Sequence, residues 1–255
     1  MLLRSERAAT VVALFGVSAL AWLYLFHVAG AMHGMSAVMP GMAMGDVRPA
    51  PWSGSKLVLM FVMWWVMMTG MMLPGAIPMI LIFGTVNRRR RERGQAYLPS
   101  AVFAAGYLIA WGVFSLGATL AQWRLDQAAL LLPSMKIGSA LLGAALWVSA
   151  GLYQWSPLKR ACLANCRSPI DFVVNRWRDG WLGALRMGVE HGAYCLGCCA
   201  LLMALLFVGG VMNLLWVAVL AVFILFEKLL PSGQRVARVG GALMIAFGVF
   251  LLAWG

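Results

Sequence analysis

"MGVEHGAYCLGCCALLMALLFV", residues 187–208, decides the fold. Glu190 is its one formally charged side chain. At a helical rise of ~1.5 Å per residue the stretch is long enough to cross a hydrocarbon core of ~30 Å. Yet His191, Cys195, Cys198 and Cys199 fall between its fifth and thirteenth residues. Polar and ionisable groups are costly at membrane depth and tend to be kept there for a function. The stretch therefore predicts a membrane helix with a chemical site built into it.

The rest of the chain agrees with the first half of that reading. Of its 255 residues, 63% are hydrophobic and 11% charged, and the mean hydropathy is +0.86. These values point to an all-α, polytopic transmembrane helix bundle. About seven stretches are long enough to span, at approximately 8–28, 57–83, 100–122, 137–154, 187–208, 211–227 and 236–254. The small residues Ala29-Gly30-Ala31 resemble a cleavage site, but the preceding apolar run exceeds the ~7–15 residues of a signal peptide. An uncleaved anchor is the expectation. It makes residues 1–56 an anchor helix with an outer Met/His-rich loop, and residues 57–255 a six-span metal-binding domain. Gly209-Gly210 leaves almost no loop between the fifth and sixth spans, which predicts a tight hairpin.

Basic residues set the orientation. Arg4, Arg7, the run Arg88–Arg91, Arg93, Lys159, Arg160, Arg167, Arg176, Arg178, Arg186, Lys228, Arg235 and Arg238 fall in one alternating set of loops. The other set holds Arg48, Lys56, Arg124 and Lys136. This asymmetry predicts an inner-membrane, multi-pass protein with its N-terminus in and its C-terminus out. It also accounts for the net charge of +12 without a nucleic-acid partner. No GxxxxGK[ST] phosphate loop occurs, so nucleotide hydrolysis is not expected to drive any transport.

Soft ligands form three clusters. The outer stretch "AMHGMSAVMPGMAMGD" (31–46) holds Met32, His33, Met35, Met39, Met42 and Met44 among glycines and a proline that predict irregular backbone. Thioethers gain nothing from water and bind Cu(I) without deprotonation. The second span, "MFVMWWVMMTGMMLPGAIPMI" (60–80), places Met60, Met63, Met67 and Met71 along one helical stripe, flanked by Met68, Met72 and Met79. Pro74 and Pro78 free carbonyls near its inner end. The third cluster is His191, Cys195, Cys198 and Cys199, within ~100° of arc on an ideal helix. Glu190 and Glu227 lie at or inside the core edge.

The remaining cysteines, Cys162 and Cys166, are spaced i, i+4 in "LKRACLANCRSP" on the inner side. Nearby Lys159, Arg160 and Arg167 predict lowered thiol pKa values and one shared ion. All five cysteines fall inside or within the membrane, as expected of reduced thiols. Zinc would accept a His/Cys set. Cu(I) is the expected metal because thioethers are good ligands for it and poor ones for zinc. The order of the clusters, from outer thioethers to inner thiolates, predicts inward passage or inward retention of the metal.

"MTGMMLPGAIPMI", "LKRACLANCRSP", "HGAYCLGCCALLMALLFVGGVMNLLW" and "FEKLLP" occur in that order. Together they resemble the bacterial family of predicted metal-binding integral membrane proteins known as domain of unknown function 2182. The resemblance covers most of residues 57–254. It implies a helical inner-membrane protein with Cys and His ligands, and marks Met72, Pro74, Pro78, Cys162, Cys166, His191, Cys195, Cys198, Cys199, Asn213 and Glu227. A Trp common after the Cys pair is Ala200 here, and the outer Met/His loop lies outside the family core.

The leading expectation is a Cu(I)-binding membrane protein that transports, stores or delivers copper, with the lipid bilayer and a copper chaperone or cuproenzyme as partners. The alternatives are a membrane thiol-disulfide oxidoreductase and an assembly subunit of a cuproenzyme. An enzyme is the less favoured class, and the sequence sets no oligomeric state.

Overall fold

The computed structural model describes residues 2–38, 52–94, 98–132 and 135–254. These form an all-α bundle. In chain order it comprises α1 (Leu2–Val38), α2 (Gly54–Arg91), α3 (Ser100–Gln127), α4 (Ala140–Gln154), α5 (Pro157–Arg167), α6 (Pro169–Asn175), α7 (Gly180–Ala204), α8 (Leu206–Gly209), α9 (Leu214–Leu229) and α10 (Gly233–Trp254). Five helical segments are long and apolar enough to cross a membrane: Arg7–Ala31, Gly54–Arg91, Ser100–Gln127, Gly180–Gly209 and Gly233–Trp254. The stretches expected at 137–154 and 211–227 form the shorter helices α4 and α9, of 15 and 16 residues.

α2 is the central helix, packed on by α1, α3, α6 and α9. Its start is capped by Ser53, whose hydroxyl accepts the Lys56 N–H. Its end carries four arginines that complement the negative end of the helix dipole. Pro74 cannot donate to the carbonyl of Gly70, four residues back. Ser18 of α1 fills that vacancy, its Oγ donating to Gly70 O at 2.8 Å. Ser18, Ala21, Leu25 and Ala29 form the buried face of α1, while Phe15, Leu20 and Phe26 point outward. An exposed apolar face of this kind suits lipid better than water.

α3 and α7 make the closest long contact. A Cβ on Gly106 would collide with Leu185 O, and one on Gly188 with Phe103 O. Small residues here let two backbones touch, as is usual for helices in membranes. α4 and α10 pair in the same way at Gly151 and Gly241.

The two ends of the bundle differ in charge. At one end Arg7 donates to Thr85 Oγ1, Arg90 pairs with Asp179 at 2.6 Å, and Arg178 pairs with Glu190 at 3.1 Å. At the other, Trp52 Nε1 donates to Asp126 at 2.5 Å, and Lys56 sits over the Trp52 ring. The hairpin expected at Gly209-Gly210 is present: Gly210 adopts φ +94° and α9 begins at Leu214. Asn213 caps α9 by accepting the Trp216 N–H at 3.2 Å. One expectation fails. Residues 31–38, read as the irregular start of the outer loop, continue α1 as helix.

Candidate metal centre

α7 turns His191, Cys195, Cys198 and Cys199 inward, and all four are buried. Other elements meet them. Gly188 and Gly192 admit α3 closely enough to bring in Tyr107, whose hydroxyl donates to Met72 O at 3.0 Å and lies 3.1 Å from Cys195 Sγ. α9 contributes Lys228, whose Nζ donates to Cys195 Sγ at 2.9 Å and stands 3.8 Å from Met72 Sδ. α5, docked on α7, contributes Cys166, whose thiol lies near Cys195 and Cys198. Cys198 and Cys199 fold back on their own helix, their thiols donating to Cys195 O at 3.0 and 2.8 Å.

Cys195 is the hub. Three further thiols, one thioether, a phenol and an ammonium lie around it. All five cysteines of the chain are free. Among the described residues no three His, Cys, Asp or Glu side chains converge on a point able to hold a metal. The donors are gathered, but a shared coordination sphere requires the Cys198 and Cys199 thiols to leave their carbonyl acceptor.

His191 stands to one side of the thiols. Its ring stacks on Tyr107 at 5.6 Å between centroids, with Phe172 edge-on at 5.5 Å and Phe103 at 6.0 Å. Its Nδ1 has no partner although the side chain is 2% exposed. A buried ring nitrogen left without a hydrogen bond is a rare expense and is consistent with a ligand role. Donor chemistry therefore fits a soft metal ion.

The other expected site residues divide into groups. Met67, Met68, Met71 and Met79 are core residues around α2, as is Met63. The stripe and its flanking methionines are thus buried inside the bundle along the central helix. Met60 lies further out, its Sδ 3.8 Å from Gln122 Nε2, with Met135 Sδ on the same nitrogen at 3.4 Å. Met32, His33 and Met35 fall in the last turns of α1, while Met39, Met42 and Met44 lie outside the described residues. Pro74 and Pro78 sit inside α2, and Asn213 is a helix cap.

Both acids turn away from the thiols. Glu190 is an ion-pair hub for Arg178, Arg186 and Arg176 at 3.1, 3.3 and 3.7 Å. Glu227 holds Lys159 at 2.8 Å and Gln154 at 2.8 Å, deep in the protein.

Two expectations about α5 need correction. Cys162 and Cys166 do not form a separate inner station. Cys166 joins the Cys195 group, and Cys162 Sγ packs on α7 where a Cβ added to Gly197 would come within 2.5 Å. Nor do the neighbouring cations activate Cys162. Burial, together with Cys198, pushes its thiol pKa up. Lys159 is occupied by Glu227, and Arg167 donates to the Leu230 and Pro231 carbonyls at 2.6 and 2.9 Å.

Lys228 and Tyr107 were not foreseen as site residues. Lys228 had a faint signal, standing beside Glu227 inside the apolar run "ILFEKLL". Tyr107 had none, because only the α3–α7 crossing brings it to the thiols.

Helices long and apolar enough to cross a bilayer, enclosing a cluster of soft donors, define a helical protein with a buried thiol centre. The PpoB2 family model, described as copper chaperone, matches residues 61–251, from α2 through most of α10. The chain belongs to that family, and a copper-related role follows. α1 and the Met/His stretch lie outside the match. No curated protein and no solved structure matches the chain.

Proposed function

We propose that this protein is a multi-pass inner-membrane Cu(I) carrier that takes up copper at its buried thiols and delivers it to a chaperone or cuproenzyme without nucleotide hydrolysis. The observation that carries the reading is the burial of Cys195, Cys198 and Cys199 together on α7, with α5 bringing Cys166 near them and Met72 Sδ facing the same ammonium as the Cys195 sulfur. A thiolate neutralises a monovalent copper, so a Cu(I)–thiolate pair avoids the cost of an isolated charge in a low-dielectric interior. Zinc is disfavoured because it is bound poorly by the thioether.

Seven spans with the N-terminus in belong to this reading, α4 and α9 being the two short crossings. The gathering of Arg7, Arg90, Arg178 and Arg186 at one end supports it. So does the resemblance to the bacterial domain of unknown function 2182. Residues 1–56 act as anchor and capture segment, and residues 57–255 as the metal-binding unit. Copper then passes from Met32, His33, Met35, Met39, Met42 and Met44 along the α2 thioethers to Cys195.

A thiol-disulfide oxidoreductase is the second reading, favoured by the nearness of the free Cys166 thiol to Cys195 and Cys198. Transport and delivery separate in one experiment on sealed proteoliposomes. Uptake of Cu(I) into the lumen marks a transporter. Transfer to an added apo-acceptor on one side, with no lumenal copper, marks a delivery protein. Neither activity, with a disulfide passed to an outer-side thiol, marks the oxidoreductase.

A further inference from the structure

The position between Cys195 Sγ and Met72 Sδ already holds a cation. Lys228 is 8% exposed, and its Nζ contacts the two sulfurs at 2.9 and 3.8 Å. An ammonium so deep needs a partner. Glu227, the adjacent acid, is committed to Lys159 and Gln154. The sulfur of Cys195 is therefore the group that receives the Lys228 charge, in a charge-assisted hydrogen bond. Tyr107 Oη stands 3.1 Å from the same sulfur on another side.

The arm that delivers this ammonium has a track of its own. A Cβ added to Gly75 would stand 3.2 Å from Lys228 Cδ and 3.7 Å from Nζ. Gly75 follows Pro74, so the bare surface of α2 on which the lysine lies coincides with the break in its hydrogen-bond ladder.

We propose that Lys228 is a built-in displacer, an ammonium that occupies the cation position between Cys195 and Met72 in the copper-free protein and returns to it as Cu(I) leaves. This rests on the copper reading given above. Loading exchanges one monovalent cation for another. N–H···S bonds break, Cu–S bonds form, and the ammonium withdraws along Gly75 because two cations repel in a low-dielectric interior. Release runs in reverse. Copper leaves as Cu(I) to the acceptor's thiolate, no electron moves, and the ammonium restores the charge balance at Cys195. Without Lys228 the departing ion must abandon an uncompensated sulfur. Lys228 thus sets how readily the carrier gives up its copper.

The test is release from the purified full-length protein, loaded with Cu(I) anaerobically in detergent and mixed with excess bathocuproine disulfonate. Lys228→Gln is expected to release copper at least tenfold more slowly than wild type, and Lys228→Arg, which keeps the charge, close to the wild-type rate. Gly75→Val keeps every sulfur and the charge but crowds the arm, and is expected to slow release as well. It carries the comparison should Lys228→Gln fail to load. Wild-type release rates in the loaded Gln and Val variants would overturn the proposal alone. A wild type that takes up no Cu(I) would overturn the copper reading and the displacer with it.

Discussion

Lys159 Nζ stands 2.8 Å from Glu227 Oε2, and both side chains are 1% exposed. The next residue, Lys228, turns to Cys195 instead. Two consecutive residues of α9 therefore serve different ends. Glu227 ties α5 to α9 and Lys228 reaches the thiols, so the first pair sets where the second acts.

Removing one member of a buried ion pair leaves the other unpaired, at a cost of about 3–5 kcal/mol. Glu227→Leu and Lys159→Met are each expected to lower unfolding free energy by that amount in detergent. The double variant should lose clearly less than the sum, because no charge is stranded. Unfolding monitored by circular dichroism checks the coupling.

The Ser18–Gly70 hydrogen bond exists because Pro74 leaves Gly70 O without its helical donor. Ser18→Ala should cost about 1–3 kcal/mol, the range for stranding a buried polar group. A Pro74→Ala background restores a backbone N–H that can donate to Gly70 O, and there the same change should cost much less. A double-mutant cycle reads the difference.

Glycines in one helix pair are not equivalent. Gly188→Val would drive a side chain into the α3 backbone at Phe103 and is expected to lose folded protein. Gly117 has nothing within 4 Å of an added Cβ. Gly117→Ala is expected to be neutral, or stabilising by up to about 1 kcal/mol. Thermal denaturation with size-exclusion profiles separates the two.

Much of the fold was legible. Hydropathy and length located the helices, because helices satisfy their own backbone and need only an apolar face. The Cys195 cluster was legible for a similar reason, since residues close in sequence share a helix face. Other features required helix neighbours that no periodicity encodes. The pairing of α3 with α7, which carries Tyr107 to Cys195, is one. The docking of α5 on α7, which merges Cys166 with the mid-helix thiols, is another. Lys228 counts in the sequence among the basic loop residues that set orientation, whereas the structure turns it to Cys195. With Glu227 engaged by Lys159, the Cys195 sulfur is the partner the structure gives it. The glycines of the stretch that includes residues 31–38 predict loop, yet α1 carries on through those residues.

The burial that raises the Cys162 pKa favours its neutral thiol. At pH 8 its thiolate fraction is therefore lower than that of a free cysteine. Iodoacetamide labelling of Cys162 in a background lacking the other cysteines should be slow at that pH. It should accelerate as pH rises, with a midpoint above the usual thiol value, as followed by peptide mass spectrometry. Labelling at the rate of an activated thiolate at neutral pH would contradict the packing of Cys162 on Gly197.

The central claim is that the sulfurs around Cys195 hold Cu(I). Anaerobic competition titration of the purified full-length protein against a chromophoric Cu(I) chelator tests it most directly, beside the combined Cys195→Ser, Cys198→Ser, Cys199→Ser variant. The account predicts that wild type withholds copper from the chelator and that the folded triple variant surrenders it. Equal copper retention by the two proteins would contradict the account.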